Sequence, residues 1–98
     1  MAADVKPTIL SVTDAVKVAS AQLSLLLPEA RNIQLEEVEL SEDDQYWLIT
    51  LGFTRLAAFA GELQHVLGLR KSDEYRIFRI DRKSGEVRSM KIRERENV

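Results

Sequence analysis

The sequence has no cysteine and a single histidine, His65, among its 98 residues. The first absence excludes disulfide scaffolds, thiol catalysis, iron–sulfur clusters and thiolate-bound zinc. The second leaves histidine-rich metal sites and most imidazole acid–base schemes without residues to build them. Long apolar runs are missing as well: the longest, such as residues 25–27 and 56–60, fall far short of the roughly 20 residues that a membrane-spanning helix needs. Residues 1–10 show neither the clustered positive start nor the apolar stretch of an export signal, so the chain as given reads as cytoplasmic. An excess of charge of one sign is also lacking. With 14 Lys+Arg against 16 Asp+Glu, the net charge of −2 singles out neither nucleic acid nor an anionic membrane as partner. What is present, 45% hydrophobic and 31% charged residues, describes one small domain with roughly two-thirds of its unfolded surface available for burial.

Ser11-Val-Thr-Asp14 has the form of a helix start, in which the serine oxygen accepts an orphan amide proton and a carboxylate favours the positive helix end. Val12, Ala15, Val16, Ala19, Leu23, Leu26 and Leu27 then recur at helical spacing, and Pro28 ends the helix. A strand is expected over residues 32–40, with Ile33 and Leu35 on one face and Val38 and Leu40 on the other; this phase change suggests a bulge or an edge position. In residues 46–55, Trp47, Ile49, Leu51 and Phe53 alternate onto one face, which predicts a central strand. Residues 56–69 mix helical spacing with Gly61 and Gly68 and read as a long apolar, partly helical connection. The third strand covers 74–81, with Phe78 and Ile80 on one side and Tyr75 and Ile77 on the other. Asp81-Arg-Lys-Ser-Gly85 is a tight turn whose glycine takes the left-handed conformation, and residues 86–94 form a fourth strand carrying Val87, Met90 and Ile92.

The expected architecture is an α+β fold, αββββ: one helix packed on a four-stranded antiparallel meander. The helix covers one sheet face, so Tyr46, Leu48 and an apolar set of the third strand form a strip on the other. Either residues 56–69 or a partner chain should bury that strip. The pattern resembles a PepSY-type domain, a cystatin-like arrangement. The resemblance rests on the helix Val12-Thr-Asp-Ala-Val-Lys-Val-Ala19, the strand Tyr46-Trp-Leu-Ile-Thr-Leu51, and the hairpin formed by Tyr75-Arg-Ile-Phe-Arg-Ile-Asp81 and Ser84-Gly-Glu-Val87. It touches about half of the chain and implies a binding or regulatory module, inhibitory in some settings, with no shared catalytic residues.

Hydrolysis using His65 as base, with Glu62, Asp73 or Glu74 to orient it, lacks a nucleophile in a recognisable setting. Glu36, Glu37, Glu39, Glu42, Asp43 and Asp44 lack the ligand spacing of a calcium loop, and nothing places one of them in an apolar pocket, so no metal site or cofactor is assigned. They read as a solvated strand face and turn. The near-neutral total hides an asymmetry. Residues 29–44 carry seven acids and one base, whereas residues 70–95 carry ten bases and five acids. In a meander these segments occupy opposite edges, and Arg76, Arg79, Arg82, Lys83, Arg88, Lys91 and Arg93 would form a basic rim. That rim offers phosphate contacts, but the acidic edge would repel a polyanion and only Tyr75 and Phe78 are interleaved with the bases, which disfavours nucleic acid. A protein partner, or a second copy meeting acid with base, fits better than nucleic acid, and charged edge strands that simply prevent aggregation account for the pattern equally well. The apolar segment either completes the core or forms an interface, in which case Phe59, Leu63, Val66 and Leu67 would be its anchors, most simply in a homodimer. Sequence alone therefore favours a non-catalytic interaction or regulatory module. Its alternative is small-ligand or nucleic-acid binding through the sheet and basic hairpin.

Overall fold

A serine hydroxyl starts the helix as its sequence pattern predicts. In the computed structural model, which describes residues 9–55 and 73–94, Ser11 Oγ accepts a hydrogen bond from the Asp14 amide at 3.1 Å, capping α1 (Val12–Leu26). The Leu27 amide donates to the Leu23 carbonyl at 2.7 Å, and Pro28, with no N–H, stops the helix. The Ala30 amide then donates to the Leu27 carbonyl at 2.9 Å, turning the chain straight into β1 (Ala30–Leu40). There follow β2 (Tyr46–Arg55), β3 (Asp73–Asp81) and β4 (Val87–Ile92), in the spatial order β1-β2-β3-β4 with every neighbouring pair antiparallel. This is the expected α+β arrangement, and β2 is internal. The apolar connection at residues 56–69, with Phe59, Leu63, Val66 and Leu67, lies outside the described residues.

Ala15, Ala19 and Leu23 form the buried stripe of α1, all with 0% exposure. Two alanines in that stripe let the helix sit close to the sheet, where it covers Ile49, Leu51 and Phe53 of β2 and Phe78 and Ile80 of β3. Val12 and Leu26, expected on the inward face, are instead substantially exposed, at the first and last positions of the helix. The helix entry is fastened at two points. The Leu10 amide donates to the Arg82 carbonyl at 2.7 Å, and Trp47 Nε1 donates to the Leu10 carbonyl at 2.9 Å. The helix thus begins beside the β3–β4 turn and ends at the start of β1, crossing the sheet from one edge to the other.

Ile33, Leu35, Val38 and Leu40 do not divide between the two faces, as strict alternation of the sequence implied. A bulge between Leu35 and Glu37 takes up one residue, so that Leu35 opposes Leu51, Val38 opposes Ile49 and Leu40 opposes Trp47, all on the helix side. Ile33 packs against the same core. Strand β4 meets the same difficulty in the same way. Val87 and Met90 are out of phase in sequence, yet a shift between Arg79 and Ile80 places Val87 opposite Ile80 and Met90 opposite Phe78. Both edge strands therefore turn apolar side chains toward the helix layer.

Phe78 is a large side chain with 0% exposure at the centre of this layer. Phe78→Ala should lower unfolding free energy by about 3–5 kcal/mol, and Ser11→Ala by about 1 kcal/mol, in urea titrations of the purified chain. Equal costs for the two would contradict this division between core and cap.

Candidate functional site

Each edge strand is held in register by a turn whose key group is an aspartate. Between β1 and β2, Asp43 Oδ1 accepts from the Ser41 hydroxyl at 2.6 Å and the Gln45 amide at 3.1 Å, while Asp44 takes a left-handed φ of 59°. Between β3 and β4, Asp81 Oδ1 accepts from the Lys83 and Ser84 amides at 2.8 and 3.0 Å, and Gly85 has the expected left-handed φ, 75°. These bonds favour the charged carboxylates. The Ser41 hydroxyl, followed by the Gln45 amide, holds the Asp43 carboxyl below its usual range. The Ser84 and Lys83 amides do the same for Asp81.

The edge strands framed by these turns are unequally covered. Of the 11 residues of β1 only Ala30 is buried and only Ile33 half-buried. Leu35, Val38 and Leu40, in phase on the helix side, remain 49%, 36% and 37% exposed. On the outer side the same strand carries Glu37 and Glu39, opposite Thr50 and Leu48. Strand β4 is shorter. Its Ile92 is 68% exposed on the helix side, and its outer side presents Ser89 and Lys91, opposite Arg79 and Ile77.

The helix-free face carries Tyr46, Leu48, Thr50 and Gly52 of β2 and Tyr75, Ile77 and Arg79 of β3. Long side chains on this face lie over the sheet. The Arg79 guanidinium stands 4.2 Å from the centre of the Tyr46 ring. Arg93, just beyond β4, reaches Glu37 of β1 at 3.0 Å, an ion pair that joins the two edges. Thr50, directly opposite Glu37, is 3% exposed. Gly52 permits a further contact: a Cβ there would come within 2.7 Å of Glu36 Oε2, so its absence lets that carboxylate lie down on the strand. Beside it, Asn32, Gln34, Thr54, Asp73 and Tyr75 border a polar cleft of about 320 Å³. Asn32, at a left-handed φ of 54°, donates from Nδ2 to Thr54 Oγ1 at 3.2 Å.

The seven basic residues expected on the rim are dispersed. Arg76 is 6% exposed on the helix side, 5.3 Å from the Phe53 ring centre and ion-paired to Glu74 at 3.3 Å. It extends a ladder in which Arg55 stands 3.5 Å from Glu29 and, off the hydrogen-bond line, 3.0 Å from Glu74. Arg82 donates to the Asp44 carbonyl at 2.8 Å and stacks 5.3 Å from the Trp47 ring centre, so it ties the two turns together. Arg79 belongs to the outer face, Arg88 pairs with Glu86 at 3.2 Å, and Arg93 is committed to Glu37. Lys83 and Lys91 are exposed, with no ion-pair partner among the described residues. Periodicity missed the structural roles of Arg76 and Arg82; for Arg76 a signal was available, since it shares the phase of Phe78 and Ile80.

His65 and Glu62 lie outside the described residues, and Glu74 is engaged by Arg55 and Arg76. Among the described residues no three His, Cys, Asp or Glu side chains converge on a metal-sized site, and no helix is long and apolar enough to cross a membrane. No protein-family model, curated protein or solved structure matches the chain.

A depressed carboxyl pKa contributes stability that is present above the unfolded value, about 3.9, and lost as pH falls through the lower folded value. Urea midpoints measured from neutral pH down to strongly acidic solution should therefore fall less steeply for Asp81→Asn than for wild type. Parallel curves would show that the Lys83 and Ser84 amides do not favour the charged form.

Proposed function

We propose that this chain is a non-catalytic protein-interaction or regulatory module whose partner, another protein or a second copy of the chain, is added as a strand along β1. The observation that carries this reading is the state of that edge: a long outer strand with Leu35, Val38 and Leu40 in phase and exposed on one side. Its other side carries carboxylates. Strand addition draws affinity from main-chain hydrogen bonds and specificity from alternate side chains. The strand that suits β1 is accordingly apolar on the helix side and basic on the outer side. The resemblance to PepSY-type domains supports the same reading, because that family implies binding and regulation without a catalytic apparatus. An arginine or lysine facing Glu39 would gain most where the edge excludes water.

Selection of short extended peptides against the purified chain tests the proposal. Recovered ligands should alternate apolar residues with Lys or Arg. Val38→Lys, a change at an exposed position, should weaken them by about tenfold or more, because inward-facing charge on an edge strand opposes pairing. Ligands that bind wild type and Val38→Lys equally would remove β1 as the docking edge.

A further inference from the structure

The strand chemistry that suits β1 is present in the chain itself, at the opposite edge of the sheet. We infer that copies of this chain associate head to tail, β4 of one copy pairing antiparallel with β1 of the next so that the sheet continues from molecule to molecule. The inference rests on the β1 reading above and names its occupant.

The rows that cross the sheet supply the register. One row runs Leu35, Leu51, Arg76, Ile92; the next on the same side runs Val38, Ile49, Phe78, Met90. On the outer side a row runs Glu37, Thr50, Ile77, Lys91. Both ends of each helix-side row are apolar, and the outer row ends in an acid at β1 and a base at β4. A second copy added in line at the β4 edge sets its Leu35 beside Ile92, its Val38 beside Met90 and its Glu37 beside Lys91. Strand directions agree, because β1 and β4 are antiparallel to each other in a four-stranded meander. Helix layers then lie on one side of the continued sheet.

The exposed apolar groups at the two edges, Leu35 and Val38 on β1 and Ile92 on β4, would cover one another. Unpaired charge is complementary too. In this register Lys91, which has no ion-pair partner among the described residues, faces Glu37 of the next copy, which it shares with that copy's Arg93, and lies diagonal to Glu39, which has no ion-pair partner there either. Two-fold pairing of like edges lacks this match. Joining β1 to β1 gathers Glu37 and Glu39 of both copies on one face, and joining β4 to β4 gathers the lysines and arginines. The interface is therefore heterologous, giving a ring where successive rotations close and a filament where they do not.

Blocking one edge at a time tests this directly. Leu35→Lys with Val38→Lys closes β1; Lys91→Glu with Ile92→Lys closes β4. Light scattering on the full-length chain should show wild type growing beyond a dimer as concentration rises, each blocked variant monomeric alone, and an equal mixture of the two forming a one-to-one heterodimer. Glu37→Lys and Lys91→Glu, which face each other in this register, repeat the test with charge alone at exposed positions: each should lower self-association several-fold, and mixing should restore it. Restoration by this milder pair supports the pairing even if the doubly substituted variants fail to fold. Dimerisation of the β4-blocked variant by itself would overturn the head-to-tail arrangement while leaving β1 as the docking edge. A wild-type chain that stays monomeric at high micromolar concentration, yet binds the selected peptides, would also overturn this inference alone; loss of peptide binding specificity for β1 removes both.

Discussion

One helix has to cover a four-stranded sheet, and most of the structure follows from that mismatch. An α-helix with its side chains is about 10 Å across, whereas four strands spaced about 4.8 Å apart place their outer members some 14 Å from each other. A helix aligned with the strands would leave one whole edge bare. Instead α1 starts at the β3–β4 turn, anchored through Leu10 to Arg82 and Trp47, and runs across to the beginning of β1. Its alanine stripe allows close approach where the sheet is most apolar, over Ile49 and Phe78. The cost is paired: the far part of β1 and the far part of β4 each keep apolar side chains beyond the helix's reach.

The bulges give those uncovered parts their chemistry. Had β1 kept strict alternation, Val38 and Leu40 would face outward, and the carboxylates of Glu37 and Glu39 would face the helix layer, where an unpaired charge is costly. One extra residue at Glu36 corrects the phase, and Gly52 on the neighbouring strand leaves space for the displaced carboxylate. A comparable irregularity on β4 keeps Val87 and Met90 inward. Both edges thereby become two-sided ribbons, apolar below and charged above, with opposite sign. Aspartate-centred turns at the same end of the sheet hold each ribbon in its register.

Element order, the boundaries of β2, the serine cap and the left-handed Gly85 were all legible in the sequence, because each rests on a local rule: alternation, capping, or a glycine where φ is positive. The phase break in β1 was visible as well, but its outcome was not. A bulge and a change of face produce the same string of residues, and only pairing with β2 decides between them. The rim was misread for a related reason. Counting arginines by segment ignores that Arg76 sits in the inward phase of β3 and that Arg82 meets Trp47 and the Asp44 carbonyl across a long stretch of chain. Charge totals located the two edges correctly, while the assignment of each guanidinium needed tertiary neighbours. The cover of the outer face by Arg79 and Arg93 was equally beyond local patterning, since both contacts join different strands.

The ion pair between Arg93 and Glu37 also makes the two edges thermodynamically dependent on each other. A strand arriving at β1 with its own cation competes for Glu37, and each time it wins it releases a guanidinium at the distant edge, beside β4. By linkage the reverse holds equally: an acidic strand that captures Arg93 at β4 leaves Glu37 free to receive a base at β1. The groups are about half exposed, so the coupling is bounded at about 1 kcal/mol, no more than about fivefold in affinity, and it fades as salt screens it. If strands are added at these margins as proposed, occupation of one would favour occupation of the other through this single bridge.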